Sequence, residues 1–328
     1  MKYTLPRFAW VCLPVLATCS IAAAQLPTAQ RTASPAPRST PAPARRDSIS
    51  GDELLERVLA TVDAQTSIAA RLRYQINLKD RTALGSGSYL QQGRGAERLF
   101  RLELDLKTPP TVSRLRHICD GSTLWISEEL AGETHLSQVN VARLRHARPK
   151  SEGSTQHIHG WLTLAGLPRL LAGLEGAFEF GPVRESMLDE VRVWTLVGQW
   201  ERGRLANLLP KQKEAIESGQ PAKLEKLSPQ LPTHVVIHVG SDDLFPYRIE
   251  YWRSPGGAPG AAGNHRGGLL VLLELYEVRA GTPLDPALFA FAPPDGKKPE
   301  NRTAEYLERF GLEDTAPAGA RRRSPLTR

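Results

Sequence analysis

From Asp47 onward the apolar positions along the chain follow two different periods. Leu54, Leu55, Val58, Leu59 and Val62 recur at intervals of three and four, and Ser50 followed by Glu53 has the form of a capping box. This spacing predicts an amphipathic helix over 51–65. The period then falls to two: Leu72, Tyr74, Ile76 and Leu78 alternate with Arg71, Arg73, Gln75, Asn77 and Lys79, which predicts a strand with one apolar and one wet face. After the turn Gly85-Ser86-Gly87-Ser88, Phe100, Leu102, Leu104 and Leu106 alternate with Arg101, Glu103 and Asp105 until Thr108-Pro109-Pro110 stops the run.

Strands near 112–119, 122–128 and 133–139 continue the meander. Asp120-Gly121 supplies a tight turn, because both residues accept positive φ. Residues 141–146 and 159–173 read as helical, the second greasy and interrupted by Gly166 and Pro168. Strands resume at about 176–181, 189–200, 233–240, 246–253 and 268–279, with a last pairing expected through Leu288 to Phe291 before Pro293-Pro294. Residues 201–232 read as a charged, partly helical insertion, Gly256 to Gly268 as a flexible loop, and 303–311 as a short helix. One helix, a meander, a helical interruption and more strands predict an α+β fold. Its expected form is an open, incomplete antiparallel β-barrel of about ten strands under a helical lid, an architecture that encloses a cavity.

The first residues read as an export signal: Lys2 and Arg7, an apolar run from Phe8 to Ile21, and Ala22-Ala23-Ala24 as the exit, with cleavage before Gln25. In an alternative reading Leu16-Ala17-Thr18-Cys19 acts as a lipobox and Cys19 is lipidated. Residues 25–46, rich in Pro, Ala, Ser, Thr and Arg, form a semi-rigid spacer. The folded domain is expected over 47–296, with 297–328 a polar, partly disordered tail. After cleavage only Cys119 remains, so no internal disulfide can form. The formal charge of +7 is misleading. Ten of the 42 Lys and Arg residues lie in 1–46 and 321–328, which hold no acid, leaving 32 cations against 35 acids in the remainder. A nucleic-acid-binding face is therefore not expected.

Three stretches together resemble the bacterial periplasmic lipoprotein carriers and sorting proteins of the LolA/LolB-like group: Leu72-Arg73-Tyr74-Gln75 after the first helix, the hairpin Asp120-Gly121-Ser122-Thr123-Leu124-Trp125-Ile126, and Pro283-Leu284-Asp285-Pro286-Ala287-Leu288-Phe289 with Phe291-Ala292-Pro293-Pro294-Asp295-Gly296. They span most of 51–296. The resemblance implies an incomplete barrel, helices over a hydrophobic cavity, and a monomeric carrier in the periplasm or cell envelope whose partner is an acyl chain, a lipid or a lipoprotein, with transient membrane contact. The family's lid-holding arginine precedes a proline. Here the corresponding stretch, Glu97-Arg98-Leu99-Phe100-Arg101, has none, so the resemblance passes that role to neither arginine.

A cavity for acyl chains needs apolar and aromatic lining, since an unpaired polar atom in a dry pocket costs about 1–3 kcal/mol. Phe100, Leu102, Leu104, Trp125, Trp161, Leu164, Trp194 and Leu196 are the candidates by type and strand face, and each could equally be plain barrel core. His157-Ile158-His159 lacks acidic or thiolate partners at metal-ligand spacing, and Asp242-Asp243 has the composition of a hairpin turn. Nucleophile elbows, phosphate-binding glycine loops and CxxC pairs are absent from the sequence, so neither catalysis nor a cofactor is expected. The expected activity is binding of a hydrophobic ligand or lipidated partner. The alternative is a structural or sensory module whose filled barrel binds another protein.

Overall fold

The computed structural model describes residues 49–78, 81–108, 111–149, 160–254, 268–294 and 296–314. Helix α1 (Gly51–Ala64) leads into six antiparallel strands: β1 (Ser67–Leu78), β2 (Arg81–Gln92), β3 (Leu99–Thr108), β4 (Thr111–Cys119), β5 (Thr123–Leu130) and β6 (Glu133–Asn140). Helix α2 (Val141–His146), the two-residue β7 (Arg148–Pro149) and α3 (Gly160–Glu175) precede β8 (Phe178–Phe180), β9 (Arg184–Leu188) and β10 (Val191–Trp200). Helices α4 (Arg202–Leu208) and α5 (Lys213–Glu217) lie in the charged insertion, ahead of β11 (His234–Gly240), β12 (Pro246–Arg253) and β13 (Gly268–Ala280). The described chain closes with β14 (Glu300–Asn301), α6 (Thr303–Arg309) and β15 (Leu312–Glu313), the last paired with β7.

Thirteen strands form one sheet in the order β14-β6-β5-β4-β3-β2-β1-β13-β12-β11-β10-β8, with β9 also on β10. Two meanders are thus joined where the first long strand, β1, pairs antiparallel with the last, β13. The β14 and β8 ends of the order are not paired with each other, so the sheet is open. Because the chain leaves at β6 and re-enters at β8, the connection through α3 must cross the sheet, and α3 packs on α1, β3 and β8. The fold is the expected open α+β barrel with helices on its concave side. The sheet holds thirteen strands where about ten are expected because β2 runs unbroken through the expected turn and because β9 and β14 are short edge additions; β8 is the strand expected at 176–181.

Local causes are visible. Ser50 Oγ accepts the Glu53 N–H at 3.1 Å and starts α1, while Asp52 Oδ1 accepts the Phe180 N–H at 2.8 Å and ties that helix to β8. Asp120 Oδ1 accepts the N–H groups of Ser122 and Thr123 at 2.9 and 2.8 Å around Gly121, whose φ is +93°. Burial would raise the Asp120 carboxyl, but these bonds outweigh it and hold it below the usual range.

Residues directly opposite across antiparallel strands share a face. On the concave face the register sets Val139, Leu124, Cys119, Phe100, Gln91 and Ile68 in one row, and Leu196, Ile237, Ile249, Leu273, Tyr74, Gly85 and Leu106 in another. The first row is buried from β6 to β1, the second from β10 to β13. The core is therefore a diagonal band across the strands, as expected for a coiled sheet whose strands are staggered.

Two expectations are corrected. Leu288 to Phe291 do not form a strand: Pro286–Phe289 is a 3₁₀ turn capped by Asp285, whose Oδ1 accepts the Ala287 N–H at 2.9 Å, and prolines on both sides remove ladder donors. Nor do Gly85 to Ser88 form a turn: they lie in the middle of β2, paired with β1 and β3 throughout. The short helix expected over 303–311 is present as α6. β14 adds to the β6 edge, and Tyr306, Leu307 and Phe310 of the α6 region enter the core.

Candidate functional site

The concave face has an apolar stretch that the diagonal core leaves uncovered. Tyr74 and Ile76 on β1, Leu106 on β3 and Leu115 on β4 face the same way as the core yet remain partly exposed. In register they surround Gly85: Tyr74 and Leu106 lie directly opposite it on either side, and Leu115 is a diagonal neighbour of Leu106. With glycine there the floor is low, and the ends of Leu106 and Leu104 lean over it. A Cβ added at Gly85 would meet Leu106 Cδ2 at 2.8 Å and Leu104 Cδ1 at 3.0 Å. At Gly87 an added Cβ would strike the Glu103 carbonyl oxygen, so β2 and β3 approach there as only glycine permits. The result is a trough in the backbone relief, with Gly87 against the β3 backbone and Gly85, itself buried, roofed by movable leucine ends. Loss of solvent pushes the Tyr74 phenol up to about 12.

Beside the trough, α3 is held over the sheet by one polar cluster. Gly166 has φ +78° inside the helix, two residues before Pro168, and the kink presents the Leu167 N–H to Tyr89 Oη at 2.8 Å. Tyr89 in turn donates to Gln91 Oε1 at 2.7 Å. Burial pushes the Tyr89 phenol far up, and the nearby Arg98 charge offsets only part of this. Arg98 donates from Nη2 to Asp63 Oδ1 on α1 at 2.5 Å, linking the start of β3 to the other covering helix. Arg101 instead donates to the Leu288 carbonyl at 2.8 Å on the convex side.

The eight candidate lining residues separate into four groups. Phe100, Leu102, Leu104 and Leu196 face inward and are buried in the core cluster, at most 5% exposed. Trp194 also faces inward, opposite Val239, but at the other flank of the core from the trough. Trp125 is a correction: Leu124 and Ile126 point inward, so it lies on the convex face. There its Nε1 donates to Asp120 Oδ2 at 3.2 Å and its ring stacks on Phe291 with centroids 5.5 Å apart. Trp161 and Leu164 belong to α3, but their side chains lie outside the described residues. Sequence reasoning had placed Tyr74, Ile76 and Leu106 on apolar strand faces without singling them out. Nothing local distinguishes them from core, because the strand register and the extent of α3 decide it.

The convex face carries a belt of charges one row deep. Glu129, Arg114, Asp105, Ser86, Arg73, Glu274, Arg248, His238 and Thr195 follow one another across nine strands. Arg114 bridges Asp105 and Glu129 at 3.0 Å each, and buried Glu274 receives Arg73 at 2.5 Å and Arg248 at 2.7 Å. Burial alone would raise the Glu274 carboxyl, but Arg248 and then Arg73 bring it below the usual range. Asp243 accepts from the Phe245 N–H and the Tyr247 hydroxyl, the hairpin role expected of it. His157 and His159 lie outside the described residues, among which no group of three or more His, Cys, Asp and Glu could hold a metal ion. Among them, too, no helix is long and apolar enough to cross a membrane.

No family model and no curated protein matches the sequence. Similar solved structures include LprF from Mycobacterium bovis, with 10% identity over 72% of this chain and 94% of that one at a TM-score of 0.37. The lipoprotein LppX from Mycobacterium tuberculosis is 10% identical over 72% and 97%, with a TM-score of 0.34. A LolA superfamily protein from Nitrosomonas europaea is 13% identical over 74% and 98%, with a TM-score of 0.27.

Proposed function

We propose that this chain is an exported envelope protein that holds an acyl chain, a lipid or a lipidated partner against the concave face of its open sheet. One observation supports the reading above all: Tyr74, Ile76, Leu106 and Leu115 form an inward apolar surface that stays partly exposed around Gly85. Burying apolar area yields about 0.8 kcal/mol per methylene before ordering costs, so a long chain laid in the trough is held firmly yet released when the cover shifts. The amino-terminal signal and the Pro/Ala spacer suit a protein working outside the cytoplasm, free or anchored through Cys19. The chemistry this calls for is reversible burial, without a catalytic step or a cofactor.

The full burial of Phe100, Leu102 and Leu196 favours a second reading, in which the barrel is packed shut and its surface binds a protein. The neutral probe N-phenyl-1-naphthylamine separates the two. A hydrophobic carrier enhances its fluorescence, and Leu106→Arg, at a partly exposed site, abolishes the enhancement while leaving the unfolding midpoint in place. Absence of any enhancement, with no lipid extractable from protein purified out of a periplasm, favours the packed module.

A further inference from the structure

Two buried hydrogen-bond donors at the edge of the core have no acceptor. Gln91 is fully buried, and its Oε1 is taken by Tyr89, but Nε2 has no partner; Arg98 spends Nη2 on Asp63, and its buried Nε has none. Tyr89 is bonded to Gln91, and Arg98 immediately precedes Leu99, the partner of Gln92, so the two donors come from adjoining ends of β2 and β3. Each atom can only donate, so the cluster has donors to spare and lacks an acceptor oxygen. A buried donor left unmatched is costly, so both atoms call for an acceptor oxygen. Its place is suggestive: Asp63, beside Arg98, has a side chain 52% exposed, so the cluster sits where the core meets solvent.

We infer that Gln91 Nε2 and Arg98 Nε form the head-group subsite of the ligand, receiving the carbonyl or carboxylate oxygen of an acyl compound whose tail runs along β2. This rests on the lipid-binding reading above and adds the polarity and orientation of the ligand. Gln91 and Gly85 are six residues apart on β2, about 20 Å at ~3.3 Å per residue, on the scale of a long extended acyl chain. Tyr89, between them, is fully buried and bonded to the Leu167 N–H, so the tail occupies this path only when α3 lifts from Tyr89. An amphiphile lying this way puts its tail in the trough and its oxygen at the rim. Entry is through α3, whose kink at Gly166 and Leu167 rests on Tyr89.

The test is displacement of bound N-phenyl-1-naphthylamine from protein purified out of a periplasm, with palmitate, methyl palmitate and hexadecane as competitors. Palmitate and methyl palmitate share the carbonyl oxygen, and both are expected to displace the probe at concentrations at least tenfold below hexadecane; an advantage for palmitate alone specifies the carboxylate. Gln91→Glu keeps the acceptor for Tyr89 and replaces the free donor by an oxygen, so it should bring palmitate and hexadecane to within about twofold, with hexadecane unchanged. Arg98→Met should reduce the preference in the same direction. Equal displacement by all three compounds, or a Gln91→Glu protein that keeps the tenfold preference, overturns the head-group assignment and leaves the pair hydrating a buried water. Displacement by none overturns the lipid-binding reading itself.

Discussion

The junction of α3 with the sheet rests on Gly166, and replacing it by alanine tests that junction with a known geometry. The substitution does two things. It forces a residue with a Cβ into φ +78°, which costs roughly 1–2 kcal/mol. It also sets that Cβ 2.6 Å from Tyr89 Oη, where ordinary contact begins at 3.4 Å, so the hydroxyl must retreat by roughly 0.8 Å. A shift of that size breaks or badly stretches its bonds to Leu167 and Gln91, now 2.8 and 2.7 Å, and a buried partner left unmatched costs about 1–3 kcal/mol. Gly166→Ala should therefore destabilise by about 3–5 kcal/mol.

Tyr89→Phe separates the two contributions. Without the hydroxyl, the nearest Tyr89 atom to the new Cβ is ring Cζ at 3.8 Å, an ordinary contact. In that background Gly166→Ala should cost only the backbone strain of roughly 1–2 kcal/mol, a coupling of about 2–3 kcal/mol between the sites. Urea unfolding of the four proteins measures the cycle, and hydrogen exchange over 166–175 shows whether α3 loosens before the sheet does. Costs that add to within about 0.5 kcal/mol would mean that Tyr89 does not bear on the kink, and the account of how α3 is held would fail.

Glu274 supplies a pH dependence. Its carboxyl lies below the usual range in the folded protein, so its contribution is fully present above the unfolded value near pH 4 and is lost as pH falls through the lower folded value. Urea midpoints should therefore drop below about pH 4, and Glu274→Gln should flatten that drop; an unchanged pH profile in the variant would refute the assignment. Phe289, 2% exposed on the convex side, should cost about 3–4 kcal/mol as alanine yet leave concave probe binding unchanged in the folded protein, and a loss of binding would contradict the separation of the two faces. Asp63→Asn removes a half-exposed partner of Arg98, so a loss of about 1 kcal/mol and faster amide exchange in the last turn of α1 are expected, and unaltered exchange there would show that the pair does not fasten the helix.

What was legible in the sequence was whatever local chemistry decides. The α1 cap, the β1 and β3 alternations and the Asp120-Gly121 turn all sit where periodicity and turn residues put them. Trp125 was misplaced because Leu124-Trp125-Ile126 is a run without alternation, so its faces are undetermined until Leu124 pairs with Cys119 and Val139. The expected single strand over 189–200 begins after a hairpin: Asp189, at φ +52°, turns the chain and β9 pairs back on β10. The split between buried Leu104 and partly exposed Leu106, two residues along one face, depends on where α3 crosses a staggered sheet. No window of sequence around β3 contains that information.

The same stagger explains why an open apolar surface exists in a protein with a continuous core. Helices α1 and α3, with the apolar residues of the insertion and of α6, make a cover narrower than an inward face of more than ten strands, and a narrow cover over a staggered sheet seals only a diagonal band. Filling the remainder with larger side chains would be the simple remedy. At β2 it is blocked, because Gly87 lies against the β3 backbone and cannot carry a Cβ. At Gly85 the obstacles are only leucine ends, which can rotate aside. The close approach of two strands thus leaves a floor without side chains, covered at Gly85 only by the flexible ends of Leu104 and Leu106.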